Sequence, residues 1–305
     1  MKRFLFLLFI YCLSGSAALA AHTIVDSDGT EITFDRPFTR IISLYPAHTE
    51  NLFSLGLDRE IIGVSTSDDY PPMIKDRRRF GYREDAEKFI AARPDLVLIR
   101  PMISRAYRGL IDKLRRAGIT VVSLQPVGPA EIYGYWRQLG QLTGRTQEAQ
   151  AMTNHFRHEL DELRKLTNDI PPEKRKVVYF ESIHSRMKTF APNGMAIFVL
   201  QAAGGINAAG DADQVRNTNI AAYGKERILS HASEIDVFLA QQGRMNRVDI
   251  DTIKNEPGFA AIKAVRKNRI FLIDEKIVSR PTLRMLEGIR TIARYLYPEH
   301  TEAIR

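Results

Sequence analysis

Apolar residues recur every three or four positions through residues 146–168, near the middle of the chain. These positions are Ala149, Met152, Phe156, Leu160, Leu163 and Leu166. The period predicts one amphipathic helix, and Pro171-Pro172 ends it because proline cannot continue a helix. At 1.5 Å per residue the helix is roughly 35 Å long, about the width of a small domain. We interpret it as a rigid strut between two lobes; the alternative is a surface helix of one larger domain.

Short apolar strands alternate with helices on both sides of the strut. A hairpin is predicted within residues 24–34, with Asp28-Gly29 as its turn. The predicted strands are residues 41–44, 61–64, 96–99, 121–124, 177–180, 237–240 and 270–273. The predicted helices are residues 49–55, 85–91, 104–117, 129–142, 196–203, 225–230, 250–255 and 282–296. A long polar loop at residues 65–83 is the kind of connection that is usually functional.

This alternation predicts an α/β fold with two lobes, each built on a mostly parallel sheet covered on both faces. The bounds are residues 21–145 for the first lobe, 146–168 for the linking helix and 169–305 for the second lobe. Open sheets bind ligands at the carboxyl ends of their strands, so a cleft between the lobes is the expected ligand site.

The first 20 residues have a different character. Lys2 and Arg3 precede a continuous apolar run from Phe4 to Leu13, and small residues ending in Ala18-Leu19-Ala20 follow. This order predicts a secretory signal peptide, and therefore an exported protein. Cys12 is the only cysteine, so the mature chain has no disulfide and no thiolate metal site. Tyr11 precedes it, which argues against a lipid anchor there.

Charge and length suggest a globular binding protein. Removal of Lys2 and Arg3 takes the formal charge from +8 to about +6, an excess that suits an anionic ligand or partner. The pattern shows no basic helix and no aromatic–basic repeat, so no nucleic-acid partner is expected. The run Arg77-Arg78-Arg79 is interpreted as a solvated loop. We expect a monomer that is not inserted in the membrane after cleavage.

A search for catalytic or metal-binding motifs finds none. There is no phosphate-binding or dinucleotide-binding loop, no nucleophile elbow and no zinc-protease motif, so we predict neither an enzyme nor a resident cofactor. His155 and His158 are interpreted as a surface pair. His48 and His184 each follow the first strand of a lobe and are weak candidates to coordinate iron, cobalt or zinc; turn residues without a ligand role are the favoured interpretation.

A resemblance to a known family rests on several motifs in a fixed order. They are Arg40-Ile41-Ile42-Ser43-Leu44, Pro46, Thr49-Glu50, Leu55-Gly56, Ile62-Gly63-Val64, Asp69-Tyr70-Pro71-Pro72, Ala92-Arg93-Pro94-Asp95-Leu96-Val97-Leu98 and Ala203-Gly204-Gly205-Ile206-Asn207. Together they resemble the periplasmic substrate-binding proteins of ABC importers for cobalamin and ferric siderophores. The resemblance covers nearly the whole mature chain. It implies two Rossmann-like lobes joined by one long helix, with limited closure.

The resemblance also implies roles for two glutamates. In the family, each lobe carries a surface glutamate that docks onto arginines of the membrane permease. The matching positions are Glu87, on the helix before Pro94, and Glu226, on the short helix before a strand of the second lobe.

Ligand-contacting residues are expected in the loops that follow strands. In the first lobe these are Tyr45, Pro46, Ala47, His48, Ser67, Tyr70, Tyr82, Arg83 and Arg100, and in the second lobe His184, Arg186, Arg244 and Arg280. Aromatic rings would contact a macrocycle, and arginines would bind anionic oxygens. Where the cobalamin binder has a cleft tryptophan this chain carries Gly81, and Ser67 takes the place of a cleft tyrosine. Both departures weigh against cobalamin itself.

The sequence therefore predicts a periplasmic protein that captures a metal chelate and delivers it to an ABC permease. A ferric siderophore or a corrinoid is the favoured cargo, with haem as a further candidate. The rival hypotheses are a direct zinc or manganese carrier that uses His48 and His184, an exported α/β enzyme, and a sensor that binds the same ligand but does not transport it.

Overall fold

The computed structural model describes residues 21–216 and 218–300. The predicted signal peptide, residues 1–20, lies outside the described residues. No helix in residues 21–216 and 218–300 is long and apolar enough to cross a membrane.

The first half of the chain forms a small hairpin and a parallel five-stranded sheet. The strands are β1 His22–Val25, β2 Glu31–Phe34, β3 Ile41–Ser43, β4 Ile61–Ser65, β5 Arg79–Phe80, β6 Leu96–Ile99 and β7 Thr120–Ser123. The helices are α1 Pro46–Ser54, α2 Ala86–Ala92, α3 Pro101–Ala106, α4 Arg108–Arg116 and α5 Ile132–Thr143. β1 and β2 pair antiparallel, and the sheet has the order β5-β4-β3-β6-β7 with every pair parallel. All four residues of β6 are buried, as expected of a central parallel strand covered on both faces.

The long helix α6 runs from Thr146–Asn168, the bounds that the hydrophobic period predicts. Five of its six periodic apolar residues are buried, and the sixth, Leu166, packs partly buried against the same core. Gly140 lets α5 approach α6 closely, because a Cβ there would lie 2.7 Å from the Cβ of Ala149. One apolar cluster includes Trp136 of α5, Phe156 of α6 and Leu200 of the second half, so the helix is packed against both halves of the chain.

The second half forms a mixed seven-stranded sheet. Its strands are β8 Val177–Ile183, β9 Lys188–Phe190, β10 Ile206–Asn207, β11 Asp213–Gln214, β12 Ile220–Ala222, β13 Val237–Gln242 and β14 Ile270–Asp274. Its helices are α7 Met195–Ala202, α8 Lys225–Ser230, α9 Ile250–Asn255, α10 Lys263–Arg266, α11 Glu275–Val278 and α12 Met285–Leu296. The order is β11-β12-β9-β8-β13-β14, with β10 beside the start of β8. β8, β13 and β14 are parallel, whereas β9, β11 and β12 run antiparallel to their neighbours.

The structure corrects several predicted elements. The helix predicted at residues 104–117 is two helices, because the backbone of Tyr107 leaves the helical conformation between α3 and α4. α1 begins at Pro46 instead of Thr49, since proline suits the first turn of a helix. The polar loop 65–83 contains a 3-10 helix, Pro72–Asp76, and the short strand β5.

One helix of the first half, α4, is basic, although no basic helix of the kind that binds nucleic acid was expected from the sequence. Four of the nine residues of α4 are arginine or lysine, and all four are exposed. They are separated in the sequence, but at 100° per residue Lys113 and Arg116 fall opposite the buried Ile111 and Leu114, and Arg108 and Arg115 lie at the flank of α4 next to Ile111.

Candidate functional site

The carboxyl ends of the two sheets face each other, and this interface is the candidate site. In the first half, Tyr45, Ser67, Tyr82, Arg83 and Arg100 each lie one to three residues beyond the end of a parallel strand. In the second half, His184, Arg186 and Arg244 lie beyond β8 and β13, and Arg280 follows β14 and α11. Because parallel strands end at the same edge of a sheet, each group lies along one edge. Side chains from the two edges meet directly.

A buried ion pair joins the two edges. Nη1 of Arg280 lies 2.6 Å from Oε1 of Glu50 on α1 and 3.4 Å from Oδ1 of Asp69. Both Arg280 and Glu50 are buried, and Oε2 of Glu50 has no hydrogen-bond partner in the described residues. Burial raises the pKa of Glu50, although its bond to Arg280 opposes the rise. Lys276 adds a second bridge, with Nζ 2.6 Å from Oδ2 of Asp69.

Hydrogen bonds and a ring contact extend the junction that Glu50, Asp69, Lys276 and Arg280 form between the two edges. The carbonyl of Pro281 accepts from Nδ2 of Asn51 at 3.0 Å and from Nε1 of Trp136 at 3.3 Å. The guanidinium of Arg284 lies 4.4 Å from the ring centroid of Tyr70, a cation–π contact. Trp136 is fully buried. Tyr70, a predicted ligand contact, takes part in this cation–π contact and is 40% exposed.

The residues predicted at 45–48 divide into one edge residue and three core residues. Tyr45 precedes α1 and is 8% exposed, and the guanidinium of Arg100 lies 4.9 Å from its ring centroid. Pro46, Ala47 and His48 form the first turn of α1 and are buried, not in a loop as predicted. Ala47 and His48 have no exposed surface, so in this structure neither is available to cargo.

His48 is a structural residue in this arrangement, and its candidacy as a metal ligand is corrected. Nε2 lies 2.9 Å from the carbonyl of Ile99, so it carries the proton, and Nδ1 accepts from the hydroxyl of Tyr135 at 2.7 Å. Neither nitrogen has a lone pair free for a metal. Burial lowers the pKa of His48 to about 4, from the ordinary 6.5.

The rest of the first edge is more open. Nε of Arg83 donates to the hydroxyl of Tyr107 at 3.2 Å, and the ring of Tyr107 packs on Tyr82 with centroids 4.8 Å apart. Arg83 is exposed, whereas Tyr82 and Ser67 are half-buried. The hydroxyl of Ser67 hydrogen-bonds that of Ser65 at 2.8 Å.

On the second edge, His184 is held between two carboxylates. Nδ1 lies 2.8 Å from Oε2 of the fully buried Glu181, and Nε2 lies 3.5 Å from Oε2 of Glu256, which also pairs with Lys225. The hydrogen bond to Glu181 raises the pKa of His184. Arg186 and Arg244 are exposed. Residues 21–216 and 218–300 contain no group of three or more His, Cys, Asp or Glu side chains placed to hold a metal ion.

Three residues that bridge the edges and two apolar residues at the rim were not predicted from the sequence. Asp69, Lys276 and Arg284 complete the junction around Glu50 and Arg280. Met245, just beyond β13, is 52% exposed, and Val127, beyond β7, is 42% exposed. Their signal was available, because each is a large apolar residue in a loop after a predicted strand.

The two glutamates predicted to dock are placed alike. Glu87 is the second residue of α2 and Glu226 the second residue of α8, and both are exposed. A carboxylate in the first turn suits the helix dipole.

Two cavities lie away from the junction's centre. One of about 470 Å³ is between the hairpin and α5, with Ile24, Gln125 and Arg137 in its wall. The other, of about 500 Å³, is in the second half and is bordered by Arg247, Asp249 and Lys276. Neither is lined by both halves, so we locate the candidate site at the facing edges, not in these cavities.

Comparison with known proteins agrees with this architecture. An ABC transporter substrate-binding lipoprotein of Bacillus subtilis, YvrC, is 27% identical over 284 residues, which are 91% of this chain and 86% of the relative. The vitamin B12-binding protein of Vibrio campbellii is 28% identical over 276 residues, 88% of this chain and 91% of the relative. The crystal structure of a possible iron-binding periplasmic solute-binding protein of Staphylococcus epidermidis superposes with a TM-score of 0.73 at 29% identity, covering 86% of this chain and all of the other.

A second solved structure and a family profile also match the chain. A periplasmic heme-binding protein of Roseiflexus, RhuT, shares the fold, with a TM-score of 0.72 at 23% identity over 87% of this chain and 99% of the other. The profile described as periplasmic binding protein matches residues 41–277, from the first strand of the parallel sheet to α11. The chain therefore belongs to the periplasmic binding protein family.

Proposed function

We propose that this protein captures an anionic metal chelate between its two lobes and delivers it to an ABC permease. The metal arrives as part of the cargo, so the protein needs no resident cofactor and catalyses no reaction. We propose that it acts as a monomer in the periplasm after removal of residues 1–20. The lobes are residues 21–145 and 169–305, joined by the helix at 146–168.

The balance of charges at the facing edges is the observation that supports an anionic cargo. Most acidic side chains there have partners: Glu50 and Asp69 pair with Arg280 and Lys276, and Glu181 and Glu256 pair with His184. Asp68 accepts a hydrogen bond from Thr49, and Glu275, just beyond β14, has no ion pair within the described residues. Four arginines at the same edges have no ion pair within the described residues: Arg83, Arg100, Arg186 and Arg244. Guanidinium groups match carboxylate oxygens in geometry and charge, so an anionic ligand suits this site.

The names of the relatives narrow the class of chelate. They include binders of vitamin B12 and of heme, and a structure of a system that transports Fe³⁺-hydroxamate. Unpaired arginines favour an acidic ferric siderophore or haem, whose charged groups can reach both edges. Met245 and Val127 at the rim would contact the apolar part of either one. A corrinoid stays in the panel of candidates.

Delivery is proposed to use Glu87 and Glu226. Their matched positions at the first turns of α2 and α8 give the two lobes one exposed carboxylate each. Charged pairs of this kind set orientation and association rate more than affinity.

Titration of the purified mature protein tests the cargo. We expect saturable binding, at micromolar or lower dissociation constants, of one chelate among haem, acidic ferric siderophores, neutral ferric hydroxamates and cobalamin, followed by fluorescence and absorbance. Arg100→Gln and Arg244→Gln should each weaken binding about ten-fold, the loss of one charged hydrogen bond. Arg59→Gln is the matched control, because Arg59 is exposed at the opposite edge, just before β4.

Other outcomes would change the proposal. Binding of a neutral chelate that is indifferent to both arginine variants would overturn the anionic class. Binding of free zinc or manganese alone would favour the direct metal carrier, although His48 could take part only after losing its bonds to Ile99 and Tyr135. Turnover of a substrate without a permease would favour the enzyme.

A further inference from the structure

Exposed basic side chains are concentrated on α3 and α4. Residues 105–116 contain five basic residues and one acidic residue, Asp112. The basic residues are Arg105, Arg108, Lys113, Arg115 and Arg116, and all five are exposed. We call them the basic face. The other side of α4 is fixed in the core, because Ile111 and Leu114 pack in the same cluster as Ala86 and Phe89 of α2.

The acidic residue within this segment, Asp112, lies one turn from both Arg108 and Arg116 on α4 but forms no ion pair with either in the part of the chain that the structure describes. None of the five cations of the basic face forms an ion pair within residues 21–216 and 218–300.

Basic residues of other helices do form ion pairs. Arg227 of α8 pairs with Asp211 and Asp213, and Lys263 of α10 pairs with Asp236. Like charges on neighbouring turns of a helix repel one another, so the folded state keeps unfavourable charges together on the basic face. An external anion would therefore stabilise this surface.

The shape of the face favours an extended anionic surface. α4 is about 13 Å long at 1.5 Å per residue, and its cations spread over nearly half its circumference. Single-stranded nucleic acid would need exposed rings for stacking, but Tyr107, the aromatic residue between the two helices, packs on Tyr82. The centre of a specific protein interface is apolar, whereas the apolar residues Leu110, Ile111 and Leu114 of α4 all pack in the core of the protein. Anionic lipid headgroups need neither rings nor apolar anchors.

We propose that the basic face binds the anionic phospholipid headgroups of a bilayer. The position fits delivery: α4 packs against α2, whose Glu87 is the proposed docking residue, so contact with a permease would bring the face near the surrounding lipids. The link between the basic face and delivery rests on the proposed function, whereas lipid binding itself requires neither cargo nor permease. Each basic residue near an anionic surface is worth about a five-fold gain in partitioning. The contact would be weak, reversible and sensitive to salt.

Flotation of the mature protein with vesicles tests the proposal. We expect binding to mixed phosphatidylcholine–phosphatidylglycerol vesicles at low salt, little binding to pure phosphatidylcholine, and loss at high salt. The triple variant Lys113→Gln/Arg115→Gln/Arg116→Gln should bind at least about ten-fold more weakly. The variant Arg115→Lys/Arg116→Lys keeps the charge and should bind as the wild type does.

A second triple variant separates the face from net charge. Lys174, Lys254 and Lys267 are exposed in the second half and have no ion pair in the described residues, so Lys174→Gln/Lys254→Gln/Lys267→Gln removes the same charge elsewhere. It should bind vesicles within about two-fold of the wild type. Equal losses in both triples, or no binding of the wild type to anionic vesicles, would overturn the proposal. So would a loss confined to binding of the permease in neutral lipid, which would assign the face to a protein contact. Unchanged thermal melting checks that each variant is folded.

Discussion

At the scale of single residues, the first turn of α1 contains a buried imidazole that the structure keeps neutral. His48 accepts a hydrogen bond from Tyr135 and donates one to Ile99, and Asn51 donates to the same Tyr135 hydroxyl at 3.2 Å. A proton on Nδ1 would face the Tyr135 hydroxyl and be cut off from water. The imidazole therefore stabilises the fold only while it is uncharged.

We predict that His48 makes the protein less stable in acid. Its folded pKa of about 4 lies below the unfolded value of 6.5, so its contribution is complete above pH 6.5 and is lost as the pH falls toward 4. The unfolding free energy of the wild type minus that of His48→Gln should fall by about 3 kcal/mol between pH 7 and pH 4. Urea unfolding at several pH values measures it. A difference independent of pH would mean that folding does not shift the pKa of His48.

Asp68 has the opposite pH dependence. Burial raises its pKa to about 7, although the hydroxyl of Thr49, 2.5 Å from Oδ2, opposes the rise. A raised carboxyl pKa gives stability that is complete below pH 3.8 and is lost as the pH rises through 7. The unfolding free energy of the wild type minus that of Asp68→Asn should therefore fall by about 4 kcal/mol from pH 4 to pH 8. If it rose instead, Asp68 would be ionised and paired in the fold.

Single residues were the level that the sequence predicted least well. The positions after strands were found correctly, because strand ends follow from local pattern. What each residue contacts did not follow: His48 depends on Tyr135 and Ile99, which lie 87 and 51 residues away. Arg280 was expected to bind ligand, but its partner Glu50 is 230 residues away. Such contacts arise only from the folded topology.

At the scale of elements, predictability depended on length. α6 was predicted to the residue because six periodic apolar positions mark it. The strands β9, β10, β11 and β12 were missed because each has only two or three residues and is defined by pairing with distant strands. The sheet of the second half is therefore more mixed than alternating helices and strands suggest.

The junction between α1 and the segment after β14 provides a test at this scale. Arg280→Met would remove the nearest cation from the buried Glu50 and leave only Arg284, whose Nη1 is 3.9 Å from Oε2 of Glu50. We predict a loss of about 3 kcal/mol in unfolding free energy at pH 8. The double variant Glu50→Leu/Arg280→Met should recover most of the loss, because no charge is then buried. Lys165→Met is the control, since its pair with Glu162 on α6 is exposed, and we expect no measurable change. A small loss for Arg280→Met would show that the lobes separate readily in solution.

At the scale of the whole molecule, the continuous core limits relative motion of the lobes. Phe156 of α6 packs on Trp136 with ring centroids 5.3 Å apart, and Trp136 donates to Pro281 of the second half. A hinge motion would have to break this packing as well as the Glu50–Arg280 pair. We therefore predict that saturation with cargo changes the radius of gyration by less than about 1 Å, measured by small-angle X-ray scattering. A larger contraction would contradict a rigid linking helix.

Delivery also belongs to the whole molecule, because it requires both lobes at once. With one proposed docking carboxylate on each lobe, a permease can recognise the orientation of the two lobes as well as their presence. We predict that Glu87→Gln/Glu226→Gln abolishes uptake in cells while cargo affinity stays within about two-fold, since both residues lie on helices outside the facing edges. Glu173→Gln/Glu234→Gln is the matched control, with the same charge change at two exposed sites. Uptake unaffected by the first variant would favour a sensor over a transporter. Uptake lost equally in both would point to net charge, because neither control position matches a docking glutamate of the family.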